Sequence, residues 1–300
     1  MASEAEEYAT DSNEEVRERR GLKKGLYLLP SAFTAANIGM GYFAVMGALR
    51  GFQLLEGGTE VELTRAAQHF DSAARAIGWA WVFDTLDGRI ARLTKTTTEI
   101  GVQLDSLADV LTFGIAPAVL VYSWGFGSAL ADGSDALKLG WFLSFMFLIC
   151  GAFRLARFNV QAVRPRVLAE GAAKVDKKQF VGLPIPMAGG LIAAIVHFAP
   201  QPLLRYGPDL GALYSGLMMG LVALLAALMV STVRYSSFKT VGTEGRSTRV
   251  AILLIAAIGM LVWLYSRYVV LALVALYVLH GIVLRLGSLL AALLRTARHR

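Results

Sequence analysis

Residues 84–109 read DTLDGRIARLTKTTTEIGVQLDSLAD. Four aspartates stand in this stretch as two pairs, Asp84/Asp87 and Asp105/Asp109. Spacings of three and four put each pair on one face of a helix. Apolar sequence of membrane-spanning length flanks the stretch on both sides. Two carboxylate pairs therefore converge from neighbouring helices at the edge of a bilayer. Aspartates are costly there and need a partner. The most economical partner for clustered carboxylates is a hard cation such as Mg²⁺ or Mn²⁺.

The rest of the chain agrees with a membrane setting. Of its 300 residues, 56% are hydrophobic, the mean hydropathy is +0.55, and several segments hold about 20 consecutive apolar residues. This predicts an all-α, polytopic membrane bundle. The single Cys150 excludes an internal disulfide framework. A net charge of +7 is better explained by loops facing anionic lipid than by nucleic acid, which is not expected as a partner.

Read in order, residues 1–20 have an acidic start and no apolar core, which predicts a disordered cytosolic tail. Arg17, Arg19, Arg20, Lys23 and Lys24 precede a first span over about 31–49, followed by a polar connection over 51–68. Further spans are expected near 68–90, 105–124, 139–158, 181–198 and 210–230. Two more, near 251–265 and 269–290, are expected to form a hairpin through a tight turn at Ser266–Arg267. Residues 21–232 then form the core and 233–300 an added hairpin with a basic tail. Eight spans place both termini on one side. Most of the 29 Lys and Arg residues fall in segments on that side, which predicts cytoplasmic termini and a cytoplasmic aspartate stretch in a multi-pass plasma-membrane protein.

The residues between the pairs suit phosphate chemistry. Two metals about 3.5–4 Å apart are a recurring arrangement for displacement at phosphorus. Gly88 and Gly101 remove side chains where a ligand approaches the backbone. Arg92 offers a planar fork to a phosphate, and Lys95 with Thr96, Thr97 and Thr98 offers further donors. Near the start of the first span, Thr34 and Asn37 are polar residues that either pack helices or meet a ligand.

The pattern Asp84-x-x-Asp87-Gly88-x-x-Ala91-Arg92, eight residues, Gly101-x-x-x-Asp105-x-x-x-Asp109 resembles the signature of the CDP-alcohol phosphotransferases at every fixed position. The resemblance implies a six-helix core that displaces CMP from a CDP-linked lipid or alcohol with a second alcohol, and a homodimer. It implies that Asp84, Asp87, Asp105 and Asp109 hold two divalent cations, Mg²⁺ or Mn²⁺, and that Asp109 is the base. It implies contacts of Gly88, Arg92, Gly101 and Thr98 with the CDP moiety, with Ser31, Thr34 and Asn37 on the nucleotide side. The segments 29–45, 104–118, 154–160 and 180–190 are similar to the branch of the family that joins CDP-diacylglycerol to L-serine.

A serine acceptor brings a carboxylate. Arg154 and Arg157, three residues apart at the end of the fourth expected span, are candidates to bind it, with Asn159 or Phe158 shaping the pocket. Positive-inside anchoring accounts for the same two arginines. Glycerol 3-phosphate, inositol phosphate or choline would suit the same chemistry as acceptors. A cation transporter is the reading from another class. Transport sites lie near mid-membrane, whereas this cluster lies at an edge beside an arginine.

Overall fold

The computed structural model describes residues 32–94, 99–163, 179–236 and 248–298. The protein is a helical bundle, as its composition requires. Helix α1 covers Ala32–Gln53 and α2 covers Glu60–Thr94. A continuous rod follows, made of α3 (Glu99–Asp109), a π-helical turn π1 (Val110–Ile115), α4 (Ala116–Val121), a second π turn π2 (Tyr122–Phe126) and α5 (Gly127–Ala129). Then come α6 (Asp135–Val163), α7 (Ile185–Phe198), α8 (Pro208–Val230) and α9 (Thr248–Arg298). Two three-residue strands, β1 (Gln179–Val181) and β2 (Arg234–Ser236), pair antiparallel with Phe180 opposite Tyr235.

Among the described residues, five stretches are long and apolar enough to cross a bilayer: Ala32–Gln53, Ile100–Ala129, Asp135–Val160, Pro208–Val230 and Ala256–Arg285. Helix α7 is apolar but has only 14 residues, and α2 carries charge along its length. The expected bundle is present. The expected count of eight is not reached among the described residues.

Helix α2 begins earlier than the polarity of 51–68 suggested. Thr59 and Glu62 form a capping box: the Glu62 amide donates to Thr59 Oγ1 at 3.3 Å, and the Thr59 amide donates to Glu62 Oε2 at 3.2 Å. The polar residues there are a helix start, not a loop. The result is a 35-residue helix, about 52 Å long, against a hydrocarbon layer of about 30 Å. Its charged last turns can therefore stand clear of the hydrocarbon.

The C-terminal hairpin is corrected. Thr248–Arg298 is one helical run in which Tyr265 alone departs from helical geometry (φ −131°, ψ 42°). Ser266 and Arg267 are helical, so the polar pair marks a kink and not a loop. Leu253, Leu254, Ile258, Met260, Leu261, Trp263 and Leu264 are exposed, so the first half of α9 does not bury a face against the second. The crossing count that put both termini on one side no longer rests on a hairpin.

Helix α7 is the buried centre. It packs against α2, α9, π1, α4 and α8, and Ile185, Ala188, Ile192 and Val196 are fully enclosed. Gly182 turns the chain from β1 into α7 at φ +84°, and a Cβ there would lie 2.5 Å from the Met229 carbonyl oxygen. Gly189 lets α7 lie directly on the rod: a Cβ would sit 2.6 Å from the Phe113 carbonyl oxygen and 2.9 Å from Pro117 Cγ. Neither contact is with a flexible side chain, so the helices must move apart to admit one. Gly189→Leu is expected to cost about 1–3 kcal/mol, read as a lower midpoint of thermal unfolding in detergent than Gly190→Leu, where a Cβ meets nothing within 4 Å.

Candidate metal and substrate site

The last turns of α2 and the C-terminal half of α3 bring three carboxylates together. One oxygen each from Asp84, Asp105 and Asp109 lies within 4.8 Å of the others. All three residues are half-buried. Like charges at this spacing repel, and the low-dielectric surroundings strengthen that repulsion. The helical period explains the grouping: Asp105 and Asp109 are four apart on one face of α3, and Asp84 meets them from α2.

The fourth aspartate has a different partner. Asp87 is buried at 6% exposure and accepts a short hydrogen bond from the Thr34 hydroxyl of α1. It still lies close enough to repel Asp84 and Asp105. Thus the stretch supplies three carboxylates in mutual reach and one turned to α1. Asp87-Gly88 and Gly101 do not form turns: Gly88 lies inside α2 and Gly101 inside α3, both half-buried.

Helix α1 supplies a second polar residue. Asn37, one turn beyond Thr34, is buried at 1% exposure, and both polar atoms of its side chain lack a hydrogen-bond partner among the described residues. Its backbone carbonyl accepts from Thr112 Oγ1 of π1 at 3.2 Å. Gly41 lies on the same threonine, with no room for a Cβ. Helix α1 is thereby fixed against the π turn that begins immediately after Asp109. Such π turns occur often at functional sites.

Helix α6 faces the cluster from the other side. Arg154 is within electrostatic reach of Asp109. Among the described residues its buried Nε has no hydrogen-bond partner, and neither has Oδ1 of Asp109. Asn159 Nδ2 donates to Ser106 Oγ at 2.8 Å, which ties α6 to α3 between Asp105 and Asp109. Arg157 is exposed. The expected arginine pair therefore separates: Arg154 turns to the aspartates and Arg157 to the surface. Ser31 and Thr98 lie outside the described residues, as does the side chain of Arg92, whose backbone belongs to α2.

The donor set fits a hard divalent cation. It consists of carboxylate oxygens that repel one another, and one oxygen of Asp109 has no hydrogen-bond partner among the described residues. The orphaned polar atoms of Asn37 and Arg154 around it fit a ligand that carries acceptors and donors of its own. Sequence reading missed Thr112, which an apolar segment disguises as packing, and Tyr277 of α9, which lies near Arg154.

Residues 27–233 match the family model described as CDP-alcohol phosphatidyltransferase. Among curated relatives, the chain is 33% identical over 216 residues to a CDP-diacylglycerol–serine O-phosphatidyltransferase of Helicobacter pylori, covering 72% of this chain and 75% of the relative. It is 35% identical over 158 residues to the protein of that name from Methanocaldococcus jannaschii, covering 52% and 60%. It is 32% identical over 156 residues to that from Saccharomyces cerevisiae, covering 52% of each.

If the cluster holds a cation, Asp84→Asn, Asp105→Asn and Asp109→Asn each weaken Mn²⁺ binding by at least about tenfold. Electron paramagnetic resonance titration of the purified protein measures this directly. Wild-type affinity in all three variants would remove the metal assignment.

Proposed function

The chain belongs to the CDP-alcohol phosphatidyltransferase family, and from that membership we propose that it transfers the phosphatidyl group of CDP-diacylglycerol to the hydroxyl of L-serine, releasing CMP. The observation that carries the reading is the meeting of Asp84, Asp105 and Asp109, with an unpartnered Asp109 oxygen and Arg154 beside it. The relatives' shared name supports serine as the acceptor.

Asp84, Asp105 and Asp109 would hold a divalent cation, Mg²⁺ or Mn²⁺. Asp87, which accepts a hydrogen bond from Thr34, would join the set that holds a second. Bound cations neutralise the diphosphate charge. Asp109 takes the proton of the serine hydroxyl. The serine oxygen then forms a bond to the lipid-side phosphorus, and the bond from that phosphorus to the CMP oxygen breaks, leaving CMP with the electron pair. Asn37 and Thr34 line the nucleotide side, with Ser31, Gly88, Arg92, Thr98 and Gly101 as further CDP contacts. Arg154 binds the serine carboxylate and orients its hydroxyl, which converts encounter into proximity. Asn159 holds α6 at the distance this requires.

The distribution of Lys and Arg supports an amino terminus and a site on the cytoplasmic side of the plasma membrane. A water-soluble acceptor and a membrane-bound donor both reach a site there. The family resemblance supports a homodimer.

Purified protein in lipid with CDP-diacylglycerol, Mn²⁺ and a panel of alcohols should release CMP with L-serine in preference to glycerol 3-phosphate, inositol phosphate or choline. Asp109→Asn should lower kcat by about a hundredfold or more. Near-normal turnover of that variant would overturn the role of Asp109. Arg154→Ala should raise the KM for serine more than it lowers kcat, since a carboxylate clamp acts largely through binding. An unchanged serine KM would remove Arg154 from the acceptor pocket.

A further inference from the structure

Helix α9 carries two polar side chains on one face. Ser266 and Tyr277 stand eleven residues apart, about three full turns and about 16 Å along the helix. At Ser266 the helix is tied down: Ser266 Oγ lies 2.9 Å from His197 Nε2, and His197 Nδ1 lies 2.5 Å from Asp71 Oδ1. Asp71 also pairs with Arg75 at 3.2 Å. This polar chain joins α9 to α7 and α2 immediately after the kink at Tyr265. It fixes the rotation of α9 and makes the helix a wall of the bundle. Tyr277, on the same face, is thereby turned inward. It is half-buried, and Val278 beside it is 3% exposed. It lines the same space as Pro184 and Pro186 at the start of α7, and as Trp81 and Val82 just ahead of Asp84 on α2.

Helix α6 reaches the start of α7 from the other side. A Cβ on Gly151 would lie 2.5 Å from Ile185 Cδ1, so α6 meets α7 there at close range. Arg154 follows three residues later on the same face of α6. Asp109 and Tyr277 both lie within its electrostatic reach. A buried arginine beside a carboxylate ordinarily closes onto it as a charge-assisted, often bidentate pair. Here no ion pair joins Arg154 to Asp109 among the described residues. Arg154 Nε and Asp109 Oδ1 have no hydrogen-bond partner among them either. The guanidinium is held off the carboxylate.

We propose that Tyr277 is a positioning residue: its phenol oxygen holds the Arg154 guanidinium away from Asp109, which leaves Asp109 to the cation and Arg154 to the carboxylate of the acceptor. The proposal rests on the reading of Arg154 as the acceptor clamp. A phenol suits this task, because it accepts a hydrogen bond from an arginine without neutralising its charge. Residue 277 lies beyond the matched family region of residues 27–233, so α9 brings to the site a group that the matched region does not contain. Released from Tyr277, the guanidinium closes onto Asp109 and competes with the cation for its oxygens.

The test compares the full-length protein in detergent with Tyr277→Phe, Arg154→Ala and the double variant. Tyr277→Phe keeps the ring and its packing and removes only the oxygen. It should weaken Mn²⁺ binding, read by electron paramagnetic resonance titration, by about tenfold. Removing Arg154 as well should restore wild-type affinity or better, since nothing then competes for Asp109. A loss that persists in the double variant marks a merely structural tyrosine and would overturn the proposal, as would wild-type Mn²⁺ affinity in Tyr277→Phe. At saturating Mn²⁺ and CDP-diacylglycerol, Tyr277→Phe should raise the KM for serine by about tenfold and lower kcat less. If the Mn²⁺ pattern appears while the serine KM is unchanged in both Tyr277→Phe and Arg154→Ala, the acceptor reading of Arg154 fails and the hold of Tyr277 on Arg154 stands. If Arg154→Ala raises the serine KM and Tyr277→Phe changes neither readout, the proposal alone fails.

Discussion

The repulsion among Asp84, Asp105 and Asp109 is the constraint on which the architecture turns. Three half-buried carboxylates within 4.8 Å are unfavourable unless a cation or a proton relieves them. Holding them there requires a rigid frame. Helix α2 supplies one wall by running past the thickness of a bilayer. Helix α3 supplies the other by placing Asp105 and Asp109 one turn apart. Helix α7, seated on π1 and α4 through Gly189, keeps the two from separating. The enclosed apolar core thus supports a charged edge that would otherwise push its helices apart.

Around that edge, each neighbouring helix brings one kind of polar group. Helix α1 brings Thr34 and Asn37, the first holding Asp87 and the second having amide atoms without a partner among the described residues. Helix α6 brings Arg154 against Asp109 and locks its own position through Asn159 and Ser106. Helix α9 brings Tyr277 near Arg154. The proposed phosphoryl transfer needs charge neutralisation, a base and positioning groups, and candidates for these stand on separate helices around one carboxylate cluster.

Much of this was legible because helical period and membrane cost act locally. Aspartate spacing placed Asp105 and Asp109 on one face, and the cost of charge in lipid marked them as candidates for a cation site. Local polarity misled elsewhere. Glu60 and Glu62 read as loop but begin α2, because a capping box uses the same residues as a turn. Ser266 and Arg267 read as a hairpin turn but lie inside α9, where the Ser266 hydroxyl serves a bond to His197 and not a chain reversal. Arg154 and Arg157 share a spacing but not an environment, since only the packing of α6 on the rod decides which one is covered.

By itself, the sequence determined the all-helical membrane class, the aspartate cluster and its taste for hard cations, since these follow from composition, period and the chemistry of carboxylates. Only the tertiary structure decided that Asp87 turns to Thr34 while three aspartates meet, that Arg154 and not Arg157 faces them, and that α9 is a kinked wall held by Asp71, His197 and Ser266. Those outcomes depend on contacts between residues far apart in the chain. Interhelical packing sets such contacts, and no local period encodes them.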